Sequence, residues 1–177
     1  ELAFANTKLT TVTIPNPSCV IGDNAFESSV NITAAFYSAP LTYLVEGNSV
    51  TVTKCDESAS GALVIPSSYN GYPVTEIGDG AFAECRSLTS VTIPDSVTSI
   101  GGWAFGWCSN LTSVTIPDGV SSIGQKAFLD CSSLTSVTIG NSVTSIGDSA
   151  FSGCSSLNSV AIPDSVTSIG GQAFGWC

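Results

Sequence analysis

Histidine and methionine are both absent from this 177-residue chain, and only Lys8, Lys54, Arg86 and Lys126 carry positive charge. Each shortage excludes something. Without histidine, most serine- and cysteine-based catalytic triads lack their general base, and a zinc site loses its commonest nitrogen ligand. Four cations against fourteen acidic residues leave no basic patch to neutralise phosphates, so neither nucleic acid nor an anionic membrane surface is an expected partner. No apolar run approaches the ~20 residues that span a bilayer, so membrane insertion is not expected either. No charged-then-apolar leader opens the chain. The lack of methionine reads as a processed product or a piece of something longer. Charged residues make up 10% of the chain and hydrophobic ones 43%, a balance that supports a continuous core and argues against disorder.

What is present is periodic. Phe82/Cys85, Phe105/Cys108, Phe128/Cys131, Phe151/Cys154 and Phe174/Cys177 follow one another at a spacing of 23 residues. That period lies in the leucine-rich-repeat range, where a short strand from each coil lines a solenoid and no coil buries its apolar face without a neighbour. One coil reads Leu88-Thr-Ser-Val91-Thr-Ile93-Pro94-Asp95, then Val97, Ile100-Gly101, Ala104-Phe105 and Cys108, and the string restarts at Leu111, Leu134 and Leu157. Val91 and Ile93 alternate with Ser90 and Thr92, the period-2 mark of a strand with one dry and one wet face. Pro94-Asp95 predicts a turn in which the carboxylate bonds its own backbone. Val97 and Ile100 form a second inward pair, and a short helical or 3₁₀ turn is the usual way to close the far side at Gly101 to Phe105. The predicted fold is a right-handed leucine-rich-repeat solenoid of short parallel strands.

The N-terminal third carries the same pattern in worn form, from Leu9, Val12 and Ile14-Pro15 to Ile21-Gly22 and Ala25-Phe26, and it degrades near Ile32 to Tyr37. Residues 41–45 and 49–53 alternate on either side of Glu46-Gly47-Asn48, which predicts a β-hairpin. The array restarts at Leu63-Val64-Ile65-Pro66, with a five-residue expansion around Tyr69 to Pro73. The expected division is therefore degenerate repeats over 1–38, a capping hairpin over 39–60 and an array over 61–177. The hairpin would cover the array's open edge.

The recurring Leu-x-x-Val-x-Ile-Pro…Ile-Gly-x-x-Ala-Phe-x-x-Cys over residues 61–177, with a gapped version over 2–29, resembles the BspA-like leucine-rich repeats of bacterial and protist surface proteins. The Gly61-Ala-Leu-Val-Ile-Pro…Asn70-Gly71-Tyr72-Pro73-Val74 segment is similar to that family's opening coil. The resemblance implies a non-catalytic, secreted or cell-surface module for adhesion or protein recognition, with no cofactor. It supplies no ligand-binding residue set to carry over.

The cysteine column places neighbouring sulfurs roughly one strand spacing apart, about 5 Å, within reach of a disulfide. Five stacked cysteines cannot all pair, and a ladder of buried free thiols is the simpler reading. Cys19 and Cys55 lie off the column and would pair only if the hairpin folds back on the first array. A second column, Asn16, Asp95, Asp118, Asn141 and Asp164, suggests either calcium or turn capping; one oxygen-bearing side chain per coil is few for calcium, and no metal site is assigned. No acid/base pair, phosphate loop or broken coil marks an enzyme.

Three features remain for binding. The ladder Ser90, Thr92, Ser113, Thr115, Ser136, Thr138 and Ser159 offers uncharged hydroxyls to a repetitive or extended partner, or is a solvated strand face. Trp103, Trp107 and Trp176 are either interface anchors or packing between coils. Asn31 and Asn110 head glycosylation sequons. Ala3-Phe4 and Ala173-Phe174 put the two ends at one phase of the coil, which suits an excised piece of a surface protein or copies stacked end to end into a filament. The expected function is adhesion or protein and glycan recognition at the cell surface, with the filament as alternative and ice binding by the Ser/Thr lattice as a remote third.

Overall fold

A computed structural model describes residues 11–13, 31–33 and 40–177, the first two segments as strands only. The chain divides into two compact units, Glu1–Pro40 and Leu41–Cys177. In the first, β1 (Thr11–Thr13) and β2 (Asn31–Thr33) pair in parallel with Val12 opposite Ile32. The remaining worn-coil positions, Asn16 and Cys19 lie outside the described residues, and so does any Cys19 pairing.

The second unit opens with the expected hairpin. Strands β3 (Leu41–Glu46) and β4 (Ser49–Cys55) run antiparallel, and Gly47 takes φ 58° in the two-residue loop, a conformation that costs glycine little. β5 (Gly61–Val64) begins the array. β6 (Ser68–Tyr69) and β7 (Tyr72–Ile77) make a small second hairpin around Asn70 and Gly71, both at positive φ. After it, three coils each contribute a longer and a shorter strand, β8 (Leu88–Thr92) and β9 (Ser99–Ile100), β10 (Ser113–Ile116) and β11 (Ser122–Ile123), β12 (Ser136–Ile139) and β13 (Ser145–Ile146), and the last coil contributes β14 (Ser168–Ile169) alone.

These strands stack into two sheets. One runs β12-β10-β8-β5 and the other β14-β13-β11-β9-β7-β4-β3, with the coils pairing in parallel. The second sheet goes beyond the one strand per coil expected from the period. It forms where Ile100, Ile123 and Ile146 point inward and the neighbouring serines outward. The hairpin joins it directly, because β4 pairs in parallel with β7, Val52 opposite Ile77.

The far side of each coil departs from expectation, for no helix occurs among the described residues. Two consecutive β-turns take its place. In one coil they are Gly124 to Ala127 and Phe128 to Cys131, closed by N–H donation from Ala127 to Gly124 and from Cys131 to Phe128. The third residue of each turn is left-handed: Lys126 at φ 57° and Asp130 at φ 55°. A helix cannot continue through such residues. The turn backbone bonds sideways instead, Phe128 N–H donating to the Ala150 carbonyl of the next coil at 2.7 Å.

The core is a stack of identical layers. Phe82, Phe105, Phe128 and Phe151 are fully buried, and successive rings lie 4.7, 5.0 and 5.0 Å apart with near-parallel planes. Glycine in the Ile-Gly step is dictated by contact, since a Cβ on Gly124 would lie 2.5 Å from the Gly101 carbonyl carbon.

Candidate functional site

Register brings the predicted ladder together over three coils. Ser90 and Thr92 stand beside Ser113 and Thr115, and these beside Ser136 and Thr138. The valine between each pair, Val91, Val114 or Val137, is buried, so the hydroxyls share the outer face. The ladder stops at both ends. Ala62 and Val64 occupy its columns in the first coil, with Val64 65% exposed. Ser159 is exposed but lies outside any strand, so it does not extend the hydrogen-bonded face as predicted.

Other hydroxyls look equivalent in sequence and are not. Thr112 Oγ1 donates to the Thr89 carbonyl at 3.1 Å, and Thr135 Oγ1 to Thr112 at 3.0 Å. On the second sheet Thr98, Ser121, Thr144 and Thr167 donate in the same way to the coil before. These side chains are inter-coil hydrogen bonds. Among the described residues, no such bond engages the hydroxyls of Thr92, Thr115 or Thr138, which keeps their donors and acceptors for water or a ligand.

A groove of ≈ 620 Å³ lies over this face, floored by the ladder and walled by the following turns. Asp95, Asp118 and Asn141 stand exposed on that wall. The expectation that each carboxylate bonds its own turn needs correcting. The turns close through the backbone, Val97 N–H to Pro94 and Val120 N–H to Pro117, while Asp118 Oδ1 accepts from the Asn141 N–H of the next coil at 2.7 Å. Asp79 and Asp148, which drew no notice in the sequence, do likewise for Gly102 and Gly171 at 2.6 and 2.7 Å. Their signal was an acidic side chain exactly one period before a glycine. No group of three His, Cys, Asp or Glu among the described residues is placed to hold a metal ion.

The tryptophans separate into two environments. Trp103 and Trp107 occupy the two left-handed turn positions of one coil, stack on each other at 5.0 Å and are half-buried, and Lys126 Nζ sits 4.3 Å over the Trp103 ring. Trp176 is 82% exposed. None of the three lines the groove. Asn110 is exposed; Asn31 falls in β2, whose side chains are not described.

Six cysteines of the second unit are free thiols. Cys108, Cys131, Cys154 and Cys177 each donate to the phenylalanine carbonyl of the preceding coil, at 3.1 to 3.3 Å. Burial raises the Cys108 and Cys154 thiols to about 12, and Cys131 well above the ordinary range, so these three stay protonated and unreactive. Cys55 does not stand off the column as its spacing suggested; it is buried at its head, beside Cys85.

The repeat signature and this coil geometry meet in one comparison: the model of the BspA type leucine rich repeat region matches residues 1–52 and 63–177 in six copies. The chain belongs to the BspA type leucine rich repeat family. Members of this family generally serve protein–protein interaction and are typically non-catalytic. Among solved structures, the chain is similar to the T. pallidum leucine rich repeat protein, with 35% identity and a TM-score of 0.74 over 78% of this chain. It spans 65% of that protein's length. A leucine-rich repeat protein from Bacteroides capillosus is 32% identical with a TM-score of 0.51, over 78% of this chain and 88% of that one. The pneumococcal vaccine antigen PcpA shares the fold at 22% identity and a TM-score of 0.53, over 77% of this chain and 46% of its own. No curated protein gave a match. No helix among the described residues is long and apolar enough to cross a membrane.

Proposed function

We propose that this BspA-type array is a non-catalytic recognition module of the cell surface or extracellular space, and that it binds its partner along the Ser/Thr groove. One observation carries the reading: among the described residues the hydroxyls of Thr92, Thr115 and Thr138 make no internal bond, although the neighbouring Thr112 and Thr135 are committed to the coil before. A row of uncommitted hydroxyls at strand spacing matches a partner that itself repeats, either an extended polypeptide or a glycan chain. The acidic wall supplies direction. Asp95 and Asp118, on a chain of net charge −10, favour a polypeptide with lysine or arginine beside its extended segment. Surface placement rests on what the family resemblance implies.

The test pairs a partner screen with two variants. Displayed peptide libraries and glycan panels are probed with the full chain, and each hit is re-measured with Thr115→Glu and with Trp103→Ala. Loss of binding at least tenfold in Thr115→Glu, with Trp103→Ala unchanged, is expected. Hits that ignore Thr115→Glu and vanish with Trp103→Ala would move the site to the turn edge.

A further inference from the structure

Each thiol of the column needs an acceptor, and in the regular coils it is the phenylalanine carbonyl one coil earlier. Cys85 belongs to the first coil of the second unit, where among the described residues no phenylalanine carbonyl accepts from it. Its Sγ turns to the Asp56 carbonyl at 3.7 Å, and the Cys55 Sγ lies 3.6 Å from that same oxygen. The two sulfurs therefore converge on one carbonyl oxygen. Both residues are buried, at 2% and 0% exposure, and the strand ending at Cys55 is hydrogen-bonded to this coil, Cys55 N–H donating to Ala81. Two sulfurs thus share one acceptor where their neighbours down the column have one each.

We infer that Cys55 and Cys85 are a disulfide-forming pair that staples the hairpin to the first coil when the chain folds in an oxidising compartment. The oxidant is a small disulfide such as oxidised glutathione, or an oxidoreductase carrying one. One of the two cysteines gives its proton to solvent and attacks one of the oxidant's sulfurs as a thiolate, that S–S bond breaks, and one thiolate leaves. The other cysteine gives its proton to solvent and its sulfur attacks the protein sulfur of that mixed disulfide, expelling the second thiolate. The pair loses two electrons and the small disulfide becomes two thiols. Pairing takes place as the hairpin docks, before burial closes the site, and afterwards burial shields the bond from reductants. Cys108, Cys131 and Cys154 remain thiols, because each is held by its own carbonyl and kept protonated.

Tryptic cleavage after Lys8, Lys54, Arg86 and Lys126 tests this directly, for the peptide 55–86 holds both cysteines and no others. The full chain is refolded in a glutathione redox buffer, quenched in acid, alkylated in denaturant and digested. The expected map has peptide 55–86 two hydrogens lighter and free of alkyl groups, while 87–126 and 127–177 are alkylated at every cysteine. An alkylated 55–86 peptide, or one joined to 9–54 or to 87–126, overturns the inference. Melting gives an independent readout. Oxidised wild type should melt roughly 10 °C above reduced wild type, and a Cys55→Ser variant should show no redox-dependent shift; a variant that shifts as wild type does also overturns it. Should Cys55→Ser fail to fold, the peptide map of wild type still decides.

Discussion

The Cys131 thiol donates to the carbonyl of Phe105, one coil back, at 3.1 Å. The contact fixes sulfur, ring and backbone of two coils in one arrangement, repeated at Cys108 and Cys154. It also ties stability to alkaline pH. Burial pushes the Cys108 and Cys154 thiols up to about 12 and Cys131 well above its ordinary value, whereas an unfolded thiol ionises near 9.0. A folded pKa raised above the unfolded one gives stability that is complete below the lower value and lost as pH climbs through the higher. The urea midpoint should therefore hold steady from pH 6 to 8, then fall progressively between about 9 and 12. Equilibrium unfolding across that range checks it, and a flat midpoint would contradict the burial of the thiols.

Phe128 lies between two rings, each 5.0 Å away. Phe128→Ala removes the middle of the stack and leaves a cavity that parallel sheets on two sides cannot collapse. A loss of about 3–5 kcal/mol is expected in denaturant unfolding. A melting curve equal to wild type would contradict the column.

Thr115 and Thr135 lie two strands' worth of chain apart and are both exposed, but only Thr135 donates to a neighbouring coil. Thr115→Ala should leave stability within about 0.5 kcal/mol of wild type, and Thr135→Ala should cost about 0.5–1.5 kcal/mol. The pair of unfolding curves tests whether internal commitment divides the hydroxyls. Equal costs would remove that division, and with it the main support for the groove.

How much of this was legible in the sequence depends on whether a side chain's role is set by its own coil or by the next. Phe82 through Phe151 were readable as core because their burial follows from the period alone. The hairpin at Gly47 was readable because its turn chemistry is local. The smaller hairpin at Asn70-Gly71 carried an equally plain turn signal, obscured by being counted as an expansion of the coil. The bonding of Asp79, Asp118 and Asp148 was not readable, because it depends on which N–H the next coil presents across the stack. The far-side turns misled for a related reason: an Ala-Phe pair suits a helix until the neighbouring coil claims its N–H groups.

Gly124 is held in this way by the backbone of the coil before, 2.5 Å from where its Cβ would lie. Gly124→Ala should destabilise by about 1–3 kcal/mol, since the added methyl meets main chain rather than a movable side chain. Thermal unfolding of Gly124→Ala beside Gly106→Ala, where the nearest atom is 3.4 Å away, is the check. The first should fall well below the second.

Because the regular coils from β8 to β13 pair with the coil before and the coil after at registers displaced by 23 residues, whole coils are interchangeable units there. Gaining or losing one would restore each carbonyl, thiol and ring to an equivalent partner, whereas gaining part of one would misalign all of them. The length of the groove can therefore change only in steps, each adding one strand spacing of about 4.8 Å. Size in this protein is quantised, and the quantum is a single Ser-x-Thr rung.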